Sequence, residues 1–250
     1  MKGYYIRTRS TDPGENLALE EYLIGYSTDM CSAILYLWQN HDTVVIGRNQ
    51  CAYSECDLEY AASNGIRVVR RMTGGGAVYH DDGNINFSII LPIDLYDIDR
   101  STMVITDALG SLGVNAIKTG RNDICLDGYK ISGNAYYTNG ITGLHHGTIL
   151  FRVDRERMSR VLNVSSRKLE SKGIKSVKSR VGDIITRYPE VSPRDIEEAI
   201  RTSFMRIYSI NKLDEIMVDD ACIARLAEKY RSDEWNIEKV GKGDTGSDEL

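Results

Sequence analysis

The densest chemistry in the chain lies in Arg70-Arg71-Met72-Thr73-Gly74-Gly75-Gly76-Ala77-Val78-Tyr79-His80 and the following Asp81-Asp82-Gly83-Asn84. Three consecutive glycines put no side chain between a ligand and the backbone. They also permit positive φ, so their N–H groups can converge on anionic oxygens. Two arginines precede them, as an anionic ligand would require. No Gly-Lys-Ser/Thr follows at P-loop spacing, and the dinucleotide fingerprint is absent. A tight turn between strands explains a glycine triplet equally well, because glycine is the default residue of strained turns.

A second stretch carries a cation. Gly120-Arg121-Asn122-Asp123-Ile124 is followed by Asp127-Gly128-Tyr129-Lys130-Ile131-Ser132-Gly133-Asn134-Ala135, then by Gly143-Leu144-His145-His146-Gly147-Thr148. Lys130 falls in a strand pattern beside Ile131 and the small Ser132-Gly133. An ammonium there suits a carboxylate or a phosphate, since a buried one is costly unless paired. The alternative is a solvated surface lysine.

The rest of the chain must position these residues. With 250 residues it can bury a substantial core, as one large domain or two small ones. Its net charge of −5 lacks the basic excess of a general nucleic-acid binder. No apolar run reaches membrane-spanning length and no signal-peptide core follows Met1-Lys2-Gly3, so the expectation is a cytoplasmic protein that engages neither nucleic acid nor membrane. Five cysteines (Cys31, Cys51, Cys56, Cys125, Cys222) without a Cys-x-x-Cys pair fit reduced thiols.

Periodicity predicts a strand over 3–8, an amphipathic helix over 15–26, and strands over 33–39 and 43–47 joined by a polar turn at Asn40-His41-Asp42. Asp57 caps a short helix that stops at Asn64-Gly65. Strands follow at 67–71 and 84–91, the latter with Ile85, Phe87 and Ile89 inward, then a helix over 99–112. Shorter strand patterns at 115–119 and 123–126 precede paired strands over 129–137 and 144–153 around Asn139-Gly140. Helices over 154–162, from Ser192-Pro193 to about 207, and over 219–230 complete the pattern, with a basic stretch at 168–180 and a polar tail from 239. Short hairpin connections predict an α+β fold, a mostly antiparallel or mixed sheet of six or seven strands with helices packed on it.

In order and spacing, Arg-Arg-x-Thr-Gly-Gly-Gly-Ala-Val-Tyr-His-Asp from Arg70, Gly120 to Ile124, Lys130-Ile-Ser-Gly-Asn-Ala135 and His145-His-Gly-Thr-Ile-Leu150 resemble the large catalytic domain of the lipoate–protein ligases. The segments 35–48, 172–181 and Lys229-Tyr-Arg-Ser-Asp-Glu-Trp-Asn236 are of that family's kind too, so the resemblance runs from about residue 3 to 237. The fold it implies is that of the biotin and lipoate ligases, class II synthetase-like, with 1–237 as catalytic domain and 238–250 as tail.

The resemblance implies a two-step reaction. ATP and lipoate give lipoyl-AMP and pyrophosphate, with Mg²⁺ helping, and the acyl group then passes to a lysine of a lipoyl-domain acceptor in a 2-oxoacid dehydrogenase or glycine-cleavage protein. Carried onto this chain, Arg71 and the stretch Gly74, Gly75, Gly76, Ala77, Val78, Tyr79, His80 are the binding candidates for nucleotide, with the Thr73 hydroxyl nearby. Lys130 bridges the lipoate carboxylate and the α-phosphate as the catalytic residue. Asn84, Asn122 and Asp123 position adenylate or, at Asp123, the metal; Gly133, His146 and Gly147 come over with their motifs. Trp38, Val45, Ile46, Gly47 and Val78 are the candidate walls of an apolar acyl slot. His80, His145 and His146 serve either proton transfer or core hydrogen bonding, and His145-His146 is a poor metal pair because strand neighbours face opposite ways. The chain ends soon after Trp235, where many such ligases continue into an accessory domain, so the resemblance is to the bipartite kind whose accessory domain is a separate polypeptide. Tyr137 stands where some members have Arg, which moves the expected pyrophosphate contact to Arg121 or the basic stretch. Two other readings stay open: an amidotransferase forming a thioester on Cys125, and a non-catalytic lipoate- or nucleotide-binding module.

Overall fold

Every residue from Asn84 to Pro92 is buried, and the alternation along this strand defines the layers around it. Ile85, Phe87, Ile89 and Leu91 enter one apolar layer. Asn84, Asn86, Ser88 and Ile90 lie on the other side of the pleat. The computed structural model describes residues 2–163 and 181–238; the basic stretch at 168–180 and the tail from 239 lie outside them.

In chain order the strands are β1 (Gly3–Arg7), β2 (Ala33–Trp38), β3 (Thr43–Ile46), β4 (Arg67–Arg70), β5 (Val78–His80), β6 (Asn84–Pro92), β7 (Ile117–Thr119), β8 (Asp123–Leu126), β9 (Tyr129–Thr138), β10 (Thr142–Leu150) and β11 (Leu213–Glu215). The helices are α1 (Pro13–Met30), α2 (Ala52–Glu55), α3 (Leu58–Ser63), α4 (Ile98–Ser111), α5 (Arg155–Val161), α6 (Pro193–Ile207) and α7 (Asp220–Arg231), followed by a π-helical turn at Glu234–Glu238. Among the described residues, β11-β1-β2-β6-β10-β9-β8-β7 form one eight-stranded sheet and β4-β3-β5 a second of three strands. Pairing is parallel at β11–β1–β2 and β3–β4, and antiparallel elsewhere. The fold is α+β with a mixed sheet, as expected, and has more strands than the six or seven foreseen.

Helices α4 and α6 cover one face of the large sheet through Val104, Ile105, Leu109, Ile196, Ile200 and Phe204. On the other face, α1 packs Leu17, Leu23 and Ile24 against Tyr36, Trp38, Ile90 and Leu144. Val44, Ile46 and Tyr79 of the small sheet turn away, into a third cluster with Ala52, Cys56 and Val161.

Three features depart from the sequence reading. The turn at Asn40-His41-Asp42 closes no hairpin, because both edges of β2 are taken, by β1 and β6. Its partner in sequence, β3, nucleates the small sheet instead. The glycine run likewise joins strands that do not pair, crossing from β4 to β5 past the intervening β3. Finally, α2 and β11 are only four and three residues long, too short to leave a periodic signal.

Helix α1 begins at a Pro13 preceded by Asp12, whose carboxylate accepts the Glu15 backbone N–H at 2.9 Å. Burial works against ionisation of Asp12, but that N–H and the guanidinium groups of Arg67 and Arg231 outweigh it and hold its pKa below 3.8. Asp12→Ala is therefore expected to cost about 1–2 kcal/mol at neutral pH. The folded-state pKa is the depressed one, so the difference from the parent is full above 3.8 and disappears as pH falls through the lower folded value. Thermal melts of the two proteins at neutral and acid pH check this.

Candidate active site

Thr73 starts the glycine loop, and Arg71 shapes it from inside. The Arg71 guanidinium donates through Nε to Thr73 Oγ1 (2.9 Å), through Nη1 to the Val45 carbonyl (3.0 Å), and through Nη2 to the carbonyls of Gly74 and Gly76 (both 2.8 Å). It is 6 % exposed, and burial lowers its pKa to about 10, still charged at neutral pH. Most of its donors are thus committed to the loop, so Arg71 acts on a ligand mainly through the loop's shape. Drawing those carbonyls inward leaves the N–H groups of Gly74, Gly75 and Gly76 without an acceptor among the described residues. Gly75 has φ +98, a conformation that favours glycine. A Cβ on Gly47 would stand 2.2 Å from the Gly75 carbonyl oxygen, so Gly47 supports the loop from below.

Across the large sheet, Lys130 Nζ pairs with Asp123 Oδ1 at 2.7 Å. Register places Asp123 opposite Gly133, and the Lys130 Cε and Nζ atoms lie 3.1 Å from where a Gly133 Cβ would be. The absence of a side chain on Gly133 is what lets the ammonium lie over the strand. Gly133 is two residues along β9 from Ala135, which pairs with His146, and His146 Nε2 lies 2.8 Å from Thr73 Oγ1. The lysine's seat and the point under the glycine loop are therefore about 7 Å apart along the strand and one strand, about 5 Å, apart across the sheet.

Between the two runs a polar floor. Asn84 Nδ2 donates to Asn86 Oδ1 at 2.7 Å, which leaves Asn84 Oδ1 and Asn86 Nδ2 buried without partners. His80 Nε2 and, beside Asp123, Asn122 Oδ1 are in the same condition. Each such atom costs about 1–3 kcal/mol if nothing fills it. Asn84 Oδ1 and Asn86 Nδ2 lie on one face of β6, and such a pair points to a polar ligand there.

Beside the floor, on the same face, lies a buried network that sequence reasoning missed. His146 Nδ1 meets both oxygens of Glu20 at 2.8 and 3.0 Å. Ser88 donates to Glu20 Oε1 at 2.5 Å, and Trp38 Nε1 donates to Ser88 Oγ at 3.0 Å. Thr73 is thereby tied through His146 to α1. Glu20 reads in sequence as a solvated helix position, yet α1 is buried around much of its girth, Asn16 and Glu20 included. The polar alternation Asn84, Asn86, Ser88 on a strand whose other side is Ile85, Phe87, Ile89 is the signal that exposes this face.

Several expected residues lie elsewhere. Of the histidines left open, His145 takes the core hydrogen-bonding alternative on the opposite face, between Ser101 Oγ and Asn134 Oδ1 (both 2.9 Å), where burial holds its pKa near 3. A Cβ on Gly147 would strike Asn134 and Phe87 on that same far side, so Gly147 is a packing glycine. Ile46 and the Tyr79 ring belong to the cluster behind the small sheet, Tyr79 donating to Asp42 at 2.7 Å; only the Tyr79 backbone remains near the loop. Trp38, Val45 and Val78 share one apolar cluster with Met72 and Tyr137. Gly47 is a support, not a wall. Among the described residues no three His, Cys, Asp or Glu side chains group as a metal site, and Asp123 Oδ1 stands in its ion pair with Lys130. Cys125 Sγ lies 3.0 Å from Thr119 Oγ1, on a strand whose Ile124 and Leu126 are core.

The model of the lipoyl protein ligase A/B catalytic domain matches residues 12–205. The chain is similar to the structure of a bi-partite lipoate protein ligase from Thermoplasma acidophilum, described with its E2 lipoyl domain: 30 % identity, 94 % of this chain and 96 % of that one covered, TM-score 0.83. It is similar also to a lipoate-protein ligase A bound with ATP, at 29 % identity over 94 % and 98 % of the two chains, TM-score 0.81. P. falciparum LipL1 in complex with lipoate shares the fold, at 24 % identity over 99 % and 76 % with TM-score 0.82. No helix among the described residues is long and apolar enough to cross a membrane.

Proposed function

We propose, for a chain that belongs to the lipoyl protein ligase A/B catalytic-domain family, that its site condenses lipoate with ATP to lipoyl-AMP and then passes the lipoyl group to a lysine of a lipoyl domain. The similarity to ligases described with ATP and with an E2 lipoyl domain supports this reading. The observation that carries it is the polar floor of unpartnered buried atoms, flanked by Lys130 on one side and by the bare amides of Gly74 to Gly76 on the other.

The first step joins two anions, so the site must suppress their repulsion. Lys130 supplies a cation where the carboxylate approaches the α-phosphate, and the glycine amides receive the other phosphate oxygens. Asp123 orients the ammonium. Its carboxylate is 42 % exposed and fits a Mg²⁺ held by one protein oxygen, with phosphates and water supplying the rest. When bound, that ion screens charge on the departing pyrophosphate. Trp38, Val45 and Val78 offer an apolar wall for the acyl chain. The second step needs no protein nucleophile, because the adenylate is already activated and the amine comes from the partner; positioning does the rest. A separate accessory polypeptide completes the enzyme, by analogy with the bi-partite relative that this chain matches over nearly that protein's whole length.

Lipoate-dependent ATP–pyrophosphate exchange, with and without a candidate accessory polypeptide, tests the activation step; pyrophosphate exchange that ignores lipoate under both conditions would contradict it. Gly47→Ala probes the loop. The new methyl must displace the Gly75 carbonyl, and the expected result is a rise of about tenfold or more in the KM for ATP with a smaller change in kcat, measured by the same exchange assay.

A further inference from the structure

A chain of buried hydrogen bonds between α1 and β5 has only one consistent direction, and it ends on a donor that nothing in the protein uses. Burial drives the Tyr36 pKa well upward, so its hydroxyl stays protonated and donates to Asn16 Oδ1 at 3.1 Å. Asn16 Nδ2 faces the carbonyls of Ser10 (3.1 Å) and Gln39 (2.8 Å). Carbonyls only accept, so the Asn16 amide cannot be turned round. The same nitrogen also meets Asn40 Oδ1 at 3.0 Å, so one of its two hydrogens is shared, and turning the Asn40 amide round would set two donor nitrogens against each other. Asn40 Nδ2 is then the atom left for His80 Nδ1, 3.2 Å away. An amide nitrogen only donates. His80 Nδ1 must therefore be the bare nitrogen, and the ring proton sits on Nε2.

That Nε2 is buried without a partner, and Asn16, Asn40, Tyr36 and His80 are all 3 % exposed or less. The ring stands edge-on to Trp38 at 6.2 Å, within the apolar wall of the site. Burial first, then the nearby Arg71 and His146, hold its pKa near 3, so a second proton is excluded at neutral pH. His80 is accordingly neither a base nor a cation.

We propose that His80 Nε2–H is a neutral hydrogen-bond donor reserved for an acceptor atom of the acid substrate where it lies against the Trp38 wall, with Asn16 and Asn40 as positioning residues that fix its tautomer. This rests on reading the site as one that binds a carboxylic acid. The proton stays on Nε2 throughout; the group holds the substrate and transfers nothing. Its value over a charged donor is that it adds no positive charge beside Arg71, which is already buried.

Nitrogen-15 NMR of the histidine rings in the full chain tests the proposal, with His80 assigned through His80→Gln. The expected result at pH 7 is an unprotonated Nδ1 and a protonated Nε2, with lipoate shifting the Nε2–H signal and a non-hydrolysable ATP analogue alone leaving it in place. Asn40→Asp exchanges the donating amide nitrogen for an accepting oxygen with little change of shape. It is expected to move the ring proton to Nδ1 or add a second, and to weaken lipoate binding about tenfold. His80→Gln, which keeps an N–H at similar reach, should bind lipoate within about threefold of the parent, and His80→Ala should not. A proton on Nδ1 in the parent protein, or a ring insensitive to saturating lipoate, overturns the proposal. Loss of ATP–pyrophosphate exchange with these NMR results intact would instead strike the activation reading and leave the histidine assignment standing.

Discussion

Replacing Lys130 with alanine is expected to reduce lipoate-dependent ATP–pyrophosphate exchange by about 10³-fold, while Cys125→Ser leaves it within about twofold. The asymmetry follows from placement. The Lys130 ammonium is held over side-chain-free Gly133 by a single carboxylate, at the edge of a floor of unpartnered polar atoms. It is the one formal positive charge in that ion pair, and without it Asp123 is left as a bare anion where two more anions must meet. The effect should fall mainly on kcat, because the charge being stabilised concentrates as the carboxylate attacks phosphorus. Cys125 is hydrogen-bonded to Thr119 and flanked by core residues, and nothing in the acyl-adenylate route uses its thiol. The reverse pattern, with Cys125→Ser inactive and Lys130→Ala active, would favour the thioester amidotransferase.

The second large effect is on stability. Arg70 is wholly buried, and its guanidinium donates to a ring of neutral carbonyls: Trp235 (2.8 Å), Asn236 (3.0 Å), Gln50 (2.5 Å), Gly47 and Arg48 (both 3.2 Å). Trp235 Nε1 returns a bond to the Arg70 carbonyl, and Asn236 Oδ1 accepts the Arg70 N–H, both at 2.8 Å. This knot ties the π-helical turn at Glu234–Glu238 to β4, directly before the glycine loop. Arg70→Met strips the donors from those carbonyls at nearly constant volume, and the expected cost is about 3–5 kcal/mol, or roughly a 10 °C fall in Tm by calorimetry. Asn236→Ala removes fewer bonds and should cost about 1–2 kcal/mol. A melting point for Arg70→Met within about 3 °C of the parent would show the knot to be idle.

This knot also shows what was and was not legible in the chain. The segment Lys229 to Asn236 resembles a family motif, but only its contact with Arg70 gives Trp235 and Asn236 a physical task. Elements with strong periodicity or caps were readable: α3 behind Asp57, α6 behind the Ser192-Pro193 capping box, and β9–β10 around Gly140 at φ +89. Strand partnership was not. An apolar run such as Thr43–Ile46 says that both faces are covered without saying by which sheet. The glycine loop and Lys130 were visible as chemistry because glycine runs and strand lysines violate ordinary patterns. Glu20, Asn16 and Asn40 were hidden because a buried polar residue on a helix or turn looks, in sequence, like a solvated one. Gly147 was misplaced for a simpler reason: a motif names consecutive residues, whereas a strand sends every second one to the far face, as it does His145, which takes the core hydrogen-bonding role the sequence left open.

The central claim is that a carboxylic acid and ATP are joined at this site. Incubating the protein, with an accessory polypeptide where one is required, with lipoate, Mg²⁺ and α-labelled ATP, then denaturing it and separating the labelled species, tests that claim directly. The expected result is a labelled lipoyl-adenylate that forms only with lipoate, is lost in Lys130→Ala, and disappears on addition of a lipoyl domain as AMP is released. Transfer of a lipoyl or octanoyl group to the domain with no adenylate at any time, and without ATP, would contradict it.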